Sequence, residues 1–470
     1  MVFSSISFLV YFLPLSLGLY YLAPTRMKNF VLLVESLFFY AWGEPVYVIL
    51  MIFSILFNYG FGILLTSVSL HHRKLILIVN VVGNLALLGF YKYADFAIEN
   101  LNAIAHLNLP LLDIPLPIGI SFYTFQAMSY MIDLYRGKVQ VQKNLIAFGT
   151  YVALFPQLIA GPIVRFESIE LQLRHREITM EKFASGVKCF IIGLSKKVLL
   201  ANNIGLLWTS ISDSNTGELP VLTAWLGAIA FTMQIYFDFS GYSDMAIGLG
   251  RMFGFDFMRN FNYPYKSKSI TEFWSRWHIS LSTWFKEYVY IPLGGNRKGL
   301  SRQLVNIFLV WMLTGLWHGA NWNFVAWGIY FAVLLILEKT FLLKLLKKMP
   351  SWVSHIYTML FVTISWVIFS NDNLGTGFHY IQNMFGIHTP ALFDGESLYM
   401  LSNYCPLILL LFVGSTSILY EIVSKIKAKF VGNKGFVFLL IENIVMLLLL
   451  LASIGYIVSS TYNPFLYFRF

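Results

Sequence analysis

Apolar and polar positions in this chain alternate on the scale of whole membrane crossings. Runs near 5–22, 29–41, 46–65, 74–92, 115–134, 145–164, 185–208, 221–249, 304–338, 352–369, 403–424 and 436–459 are nearly free of charge. A spanning helix takes about 20 apolar residues, so the pattern predicts an all-α polytopic membrane protein with about eleven or twelve membrane segments. A membrane barrel would instead alternate within segments of roughly ten residues. Two runs carry breakers, Pro115, Pro117 and Gly119 in one and Pro156, Gly161 and Pro162 in the other. Proline removes a backbone donor, and broken backbone at membrane depth persists only where protein buries it or a wet cavity reaches it. Both runs are therefore expected to be kinked or re-entrant. No repeat or linker divides residues 1–470, which read as one domain.

The run from Leu304 to Leu337 is 34 residues long, and His318 is the only residue in it that titrates near neutral pH. That length exceeds one comfortable span and falls short of two. Gly315 and Gly319 flank the histidine and Asn321 follows, so the helix is expected to break there. An ionisable group at membrane depth is a functional candidate by default, which singles out His318 with its neighbours Trp317 and Asn321. The competing reading is a histidine hydrogen-bonded within a helix bundle.

Composition agrees with the pattern: 57% of residues are hydrophobic and 12% charged, about half the charge of a soluble domain. The formal charge of +10 resides in the loops. Residues 250–303 hold nine Lys and Arg, 342–348 and 425–434 are also basic, and 210–220 and 370–402 have none. The positive-inside rule places the basic loops in the cytoplasm, at a cell membrane, where they meet lipid headgroups rather than nucleic acid. The opening MVFSSISFLVYFLPL has no basic residue before Arg26 and reads as a retained first span.

Within the 250–303 loop, Ser269 and Glu272 have the spacing of a capping box. Phe273, Trp277, Leu281, Trp284 and Tyr288 then recur at helical steps while Arg276 and Lys286 fall off the stripe, which predicts an interfacial amphipathic helix. Pro292, Gly294 and Gly295 end it. His278 lies beside the stripe and faces either a pocket or the headgroups.

QIYFDFSGYSD places Asp238, Ser240 and Tyr242, followed by Ser243 and Asp244, near the end of an apolar run. A buried aspartate needs a partner or loses its charge. It could orient a histidine, line a cation path, or bond one helix to another. Glu35 and Glu442 are expected to pair structurally, and Lys196 and Lys197 to mark a helix end. Cys189 and Cys405 form no CxxC pair, and no HExxH, phosphate loop or GxSxG elbow occurs. No metal site or bound cofactor is therefore expected. A histidine acting as general base on a hydroxyl needs neither.

VFSSISFLVYFLPL, SLFFYAWGEP, FPQLIAGPIVRF, DFSGYSDMAIG, FWSRWHISLSTWFKEYVYIPLGGNRKG, LTGLWHGANW and the closing NPFLYFRF together resemble the membrane-bound O-acyltransferases, in particular the bacterial branch that modifies polysaccharides, as in alginate O-acetylation. In that resemblance His318 corresponds to the histidine regarded as catalytic and His278 to a second histidine of the branch. It implies a helical ring around a tunnel joining the two sides of the membrane. It also implies an acetyl group drawn from a cytoplasmic thioester, acetyl-CoA, and passed to an extracytoplasmic polysaccharide through an SGNH-hydrolase-like partner. Residues Asp238, Ser240, Tyr242, Arg276, Trp277, Trp317 and Asn321 would support the site. A related branch D-alanylates teichoic acids from an acyl-carrier protein. Outside this class, a transporter would use the same buried acids as a solute path, and a scaffold would need neither histidine.

Overall fold

The computed structural model describes residues 1–159, 161–213, 218–387, 389–430, 433–460, 462–463 and 466. Among them all regular structure is helical. Seven of their helices are long and apolar enough to cross a membrane, so the chain is an all-α, multi-pass membrane protein. The helices group into two compact units, Met1–Phe190 with Ser243–Arg259 and Ile191–Tyr242 with Asn260–Phe470.

The first unit contains α1 (Lys28–Gly43), α2 (Val48–Ser67), α3 (Leu70–Ala105), α4 (Ile120–Tyr135) and α5 (Leu145–Ala153). Helix α3 outruns its apolar stretch at both ends and stops where His106 turns left-handed. Asn58 on α2 and Asn80 and Asn84 on α3 bond one another at 2.9–3.1 Å in the interior. In a lipid-facing bundle such amides have no water to turn to, so they join the helices. Both proline-bearing runs are interrupted as expected. Helix α4 begins only after Gly119, and α5 ends before Leu154 and Pro156 start a separate turn. Glu35 accepts the Ser16 hydroxyl at 2.6 Å.

The helix α6 (Met180–Ser195) runs on through a π-helical turn, Lys196–Ala201, into Asn202–Asp213. Lys196 and Lys197 thus lie inside a 34-residue rod rather than at a helix end. Helix α7 (Val221–Met252) follows. The stretch expected to be one amphipathic helix is two short ones, α8 (Ile270–Arg276) and α9 (Ile279–Phe285). The cause is Asn260–Asn262, which runs alongside the junction. The Asn262 N–H donates to the Arg276 carbonyl and the Ile279 N–H to the Asn260 carbonyl, so those groups are lost to the helix. The stripe residues Phe273, Trp277, Leu281, Trp284 and Tyr288 are all buried.

Leu300–His318 forms α10 and Trp322–Leu337 forms α11, so the long apolar run breaks at the glycine that follows His318. The two helices pack as a hairpin because Gly315 and Gly328 face each other. A Cβ on Gly315 would overlap the Phe324 carbonyl, and one on Gly328 would overlap that of Trp311. Helices α12 (Ser351–Ser370) and α13 (Gly395–Gly414) complete the packing used below. The span expected at 403–424 is divided between α13 and a separate helix, Ile418–Lys429. Ser415 and Thr416 turn their hydroxyls back to the Phe412 and Val413 carbonyls, which ends α13 there.

Candidate functional site

His318 is the last residue of α10 and is buried. Its ring is held edge-on by Trp317, Trp327 and Phe369, at centroid distances of 5.0, 5.0 and 5.4 Å. The ring opens on a cavity of about 20 Å³ lined by Ile235, Asp238, Phe239, Trp277, His318, Trp366, Phe369 and Leu466. That is room for roughly one water-sized group.

Asp238 is not a free carboxylate. Its Oδ1 lies 2.8 Å from Lys197 Nζ, with both side chains buried, and its Oδ2 accepts the Leu466 N–H at 3.0 Å. Lys197 also donates to Asn202 Oδ1 at 2.8 Å. The lysine read as a helix end is therefore the counter-ion of the aspartate that lines the cavity.

His278 sits at the junction of α8 and α9 with φ 44° and ψ 55°, a left-handed conformation uncommon for a residue other than glycine. It is fully buried. Its ring packs edge-on to Phe239 at 4.8 Å and lies 6.0 Å from Trp317. It does not line the cavity, but one neighbour does and the other touches His318. Asn260 Oδ1 accepts from the Ser280 N–H at 3.1 Å and the Ser280 hydroxyl at 2.9 Å. The same oxygen lies 3.2 Å from His278 Nδ1, so Nδ1 carries a proton and, in the neutral ring, the lone pair is on Nε2. Helix α8 is fixed at its other end by Glu338, which accepts the Ile270 and Thr271 N–H groups at 2.6 and 2.8 Å and the Thr271 hydroxyl at 2.6 Å. Ser269 accepts the Glu272 N–H as its spacing predicts, while the Glu272 carboxylate reaches Lys268 N–H rather than that of Ser269.

Burial pushes the His278 imidazole from its ordinary 6.5 down to about 3. The ring is neutral in the fold throughout the physiological range, whereas the unfolded chain takes up its proton as pH falls below about 6.5. Stability due to this site is thus intact above 6.5 and declines as pH drops toward 3, by up to about 1.4 kcal/mol per unit. The fall in unfolding temperature between pH 7.5 and 5 should be smaller in His278→Asn, because asparagine tolerates the left-handed backbone and does not titrate. Equal slopes in the two proteins would refute the assignment.

The remaining candidates separate. Trp277 lines the cavity and packs on Trp366 at 4.9 Å. Trp317 stands between the two histidines' surroundings. Asn321 opens α11 and donates to the Asp372 carbonyl at 2.9 Å, clamping the turn beyond His318. Arg276 pairs with Glu272 at 2.9 Å and donates to the Asn262 carbonyl at 3.1 Å, outside the cavity lining. Ser240 and Tyr242 are buried in α7 but do not line it either. Sequence reasoning missed Lys197, Asn260, Glu338 and Leu466. An ionisable residue inside an apolar run was a signal for Lys197; nothing in the spacing marks Asn260.

Residues 140–371 match the family model of the membrane-bound O-acyltransferases. The "probable alginate O-acetylase AlgI" of Azotobacter vinelandii is 44% identical over 88% of this chain and 84% of its own length. The chain belongs to the membrane-bound O-acyltransferase family. It is an O-acyltransferase. A peptidoglycan O-acetyltransferase of Helicobacter pylori is 34% identical over 83% of this chain and 81% of the relative. A teichoic acid D-alanyltransferase of Bacillus subtilis is 30% identical, over 56% of this chain and 70% of the relative. The matched residues include both histidine segments, and His318 stands at the break between α10 and α11.

Proposed function

We propose that this O-acyltransferase is an acetyltransferase of the cell membrane. It takes an acetyl group from a thioester on the cytoplasmic side, acetyl-CoA, for O-acetylation of a polysaccharide outside, with His318 as general base. The observation that carries this reading is the enclosed cavity lined by His318, Asp238 and a wall of aromatic side chains. His318 takes the proton of an acceptor hydroxyl as its oxygen attacks the thioester carbonyl. The carbon–sulfur bond breaks, and the thiolate leaves with a proton. His278, with its Nδ1 proton directed to Asn260, stays neutral and offers the Nε2 lone pair as a hydrogen-bond acceptor that positions the donor or shares in the proton transfer. The basic 250–303 loop faces the cytoplasm and attracts the phosphates of the donor.

Charge at the cavity favours acetyl over D-alanyl. Asp238 is neutralised by Lys197, and the other walls are aromatic or aliphatic. Beside a cavity with room for only one water-sized group, a D-alanyl ammonium would be desolvated without a counter-ion, whereas an acetyl group carries no charge. The likeness to alginate and peptidoglycan O-acetylating proteins over more than four-fifths of the chain supports the same choice. The acetyl group then leaves on an extracytoplasmic partner of SGNH-hydrolase type or directly on the glycan.

The test uses purified protein in lipid with radiolabelled acetyl-CoA and reads free CoA. Release by the wild type is expected. Silence with acetyl-CoA but turnover with an acyl-carrier protein would replace the donor and favour D-alanyl transfer.

A further inference from the structure

The second unit holds a groove of about 460 Å³ away from the His318 cavity, walled by α7, α12 and the end of α13. Its side chains include Trp225, Met233, Tyr265, Met359, Thr363 and Phe412. Most of the polar groups along it are already committed to backbone. Trp225 Nε1 donates to the Met384 carbonyl, the Tyr265 hydroxyl to that of Thr232 and the Thr232 hydroxyl to that of Ala228. Ser415 and Thr416 bond back to α13, and His355 Nδ1 donates to the Ser267 carbonyl. What remains to line the groove is mostly hydrocarbon, so its occupant is apolar.

Length and charge narrow the occupant. From His355 to Thr363 on α12 the groove extends eight residues, about 12 Å. That is close to the depth of one leaflet and less than half of the 30 Å or so that a spanning helix of another chain would need. One acyl chain fits and a docked helix does not. At the end marked by His355 and Thr416, Lys266 reaches Ser417. Glu421 stands 3.9 Å from the same Lys266 Nζ, and both side chains are exposed. Lys425, Lys427 and Lys429 follow on the next helix. An exposed lysine at the mouth of an apolar groove, with further lysines along the helix that leads away from it, suits an anionic headgroup.

We propose that this groove binds an anionic membrane phospholipid, one acyl chain lying between α7, α12 and α13 and the headgroup at Lys266. The site is separate from the cavity at His318, so the proposal stands whichever acyl group the enzyme transfers.

Native mass spectrometry of the purified chain in mild detergent tests it, with phosphatidylglycerol or phosphatidylcholine of matched chains as probe. The wild type is expected to hold a first phosphatidylglycerol well before any further lipid. Met359→Phe combined with Thr363→Phe fills the groove and should raise the concentration needed for that first adduct by about tenfold or more, since each excluded methylene weakens retention several-fold. Ile329→Phe, on a partly exposed face of α11, should not change it. Lys266→Ala should abolish the preference for phosphatidylglycerol while leaving the chain-dependent part. Quenching by phosphatidylglycerol brominated along its acyl chains provides a second readout in the wild-type groove, of which Trp225→Phe should remove a large share. A wild type with no first adduct, an adduct unaffected in the folded groove-filled variant, or equal retention of the two lipids would overturn the proposal.

Discussion

Replacing His318 by alanine is expected to reduce acyl transfer by about 10²–10⁴-fold, the usual contribution of a positioned general base. The loss should appear in turnover with little change in membrane abundance. His318 closes α10 without holding it, since the hairpin with α11 is set by Gly315 against Gly328 and by the clamp from Asn321 to the Asp372 carbonyl. Alanine does vacate space between Trp317, Trp327 and Phe369, so His318→Gln is the companion variant, keeping much of the volume without the basicity. Both should be inactive per folded molecule, judged by radiolabelled acetyl release and by quantitative blotting of the membrane fraction. An active His318→Gln protein would remove the histidine from the chemistry and leave it a packing role.

His318 was legible because glycine and asparagine punctuate an otherwise unbroken apolar run, and helix geometry has few ways of accommodating that. The same logic found the breaks at Gly119 and Pro156. His278 was legible as a position but not as a conformation. Its stripe predicted a continuous helix, and the left-handed turn arises from Asn260, eighteen residues earlier, whose bonds no periodicity announces. Ser415 and Thr416 divided the 403–424 run by local side-chain bonds that hydropathy does not register. Lys197 was misread because a lysine pair resembles a helix end, although its long apolar flanks argued for burial. The closing NPFLYFRF entered the family resemblance, and of it only Asn463 and Leu466 fall within the described residues. A linear pattern thus reports breaks and faces well. It reports poorly the pairings between distant segments that hold a site in place.

The Asp238–Lys197 pair supplies the other large expected effect. Both groups are about 2–3% exposed and 2.8 Å apart, inside helices long enough to cross the membrane. An ion pair in such surroundings repays its desolvation only while both charges are present, so removing one partner costs about 3–5 kcal/mol. Lys197→Met and Asp238→Asn are therefore each expected to lower unfolding temperature and abundance sharply. The double variant should recover most of the loss, because it buries no unpaired charge and the asparagine oxygen can still accept the Leu466 N–H. Transfer per folded molecule should return with it, to within about tenfold, if the aspartate acts by positioning the cavity wall beside His318. A wild-type-like unfolding temperature in either single variant would contradict the buried pair. Stability restored without transfer would instead place the Asp238 carboxylate in the reaction itself, as a charge that steadies the His318 imidazolium.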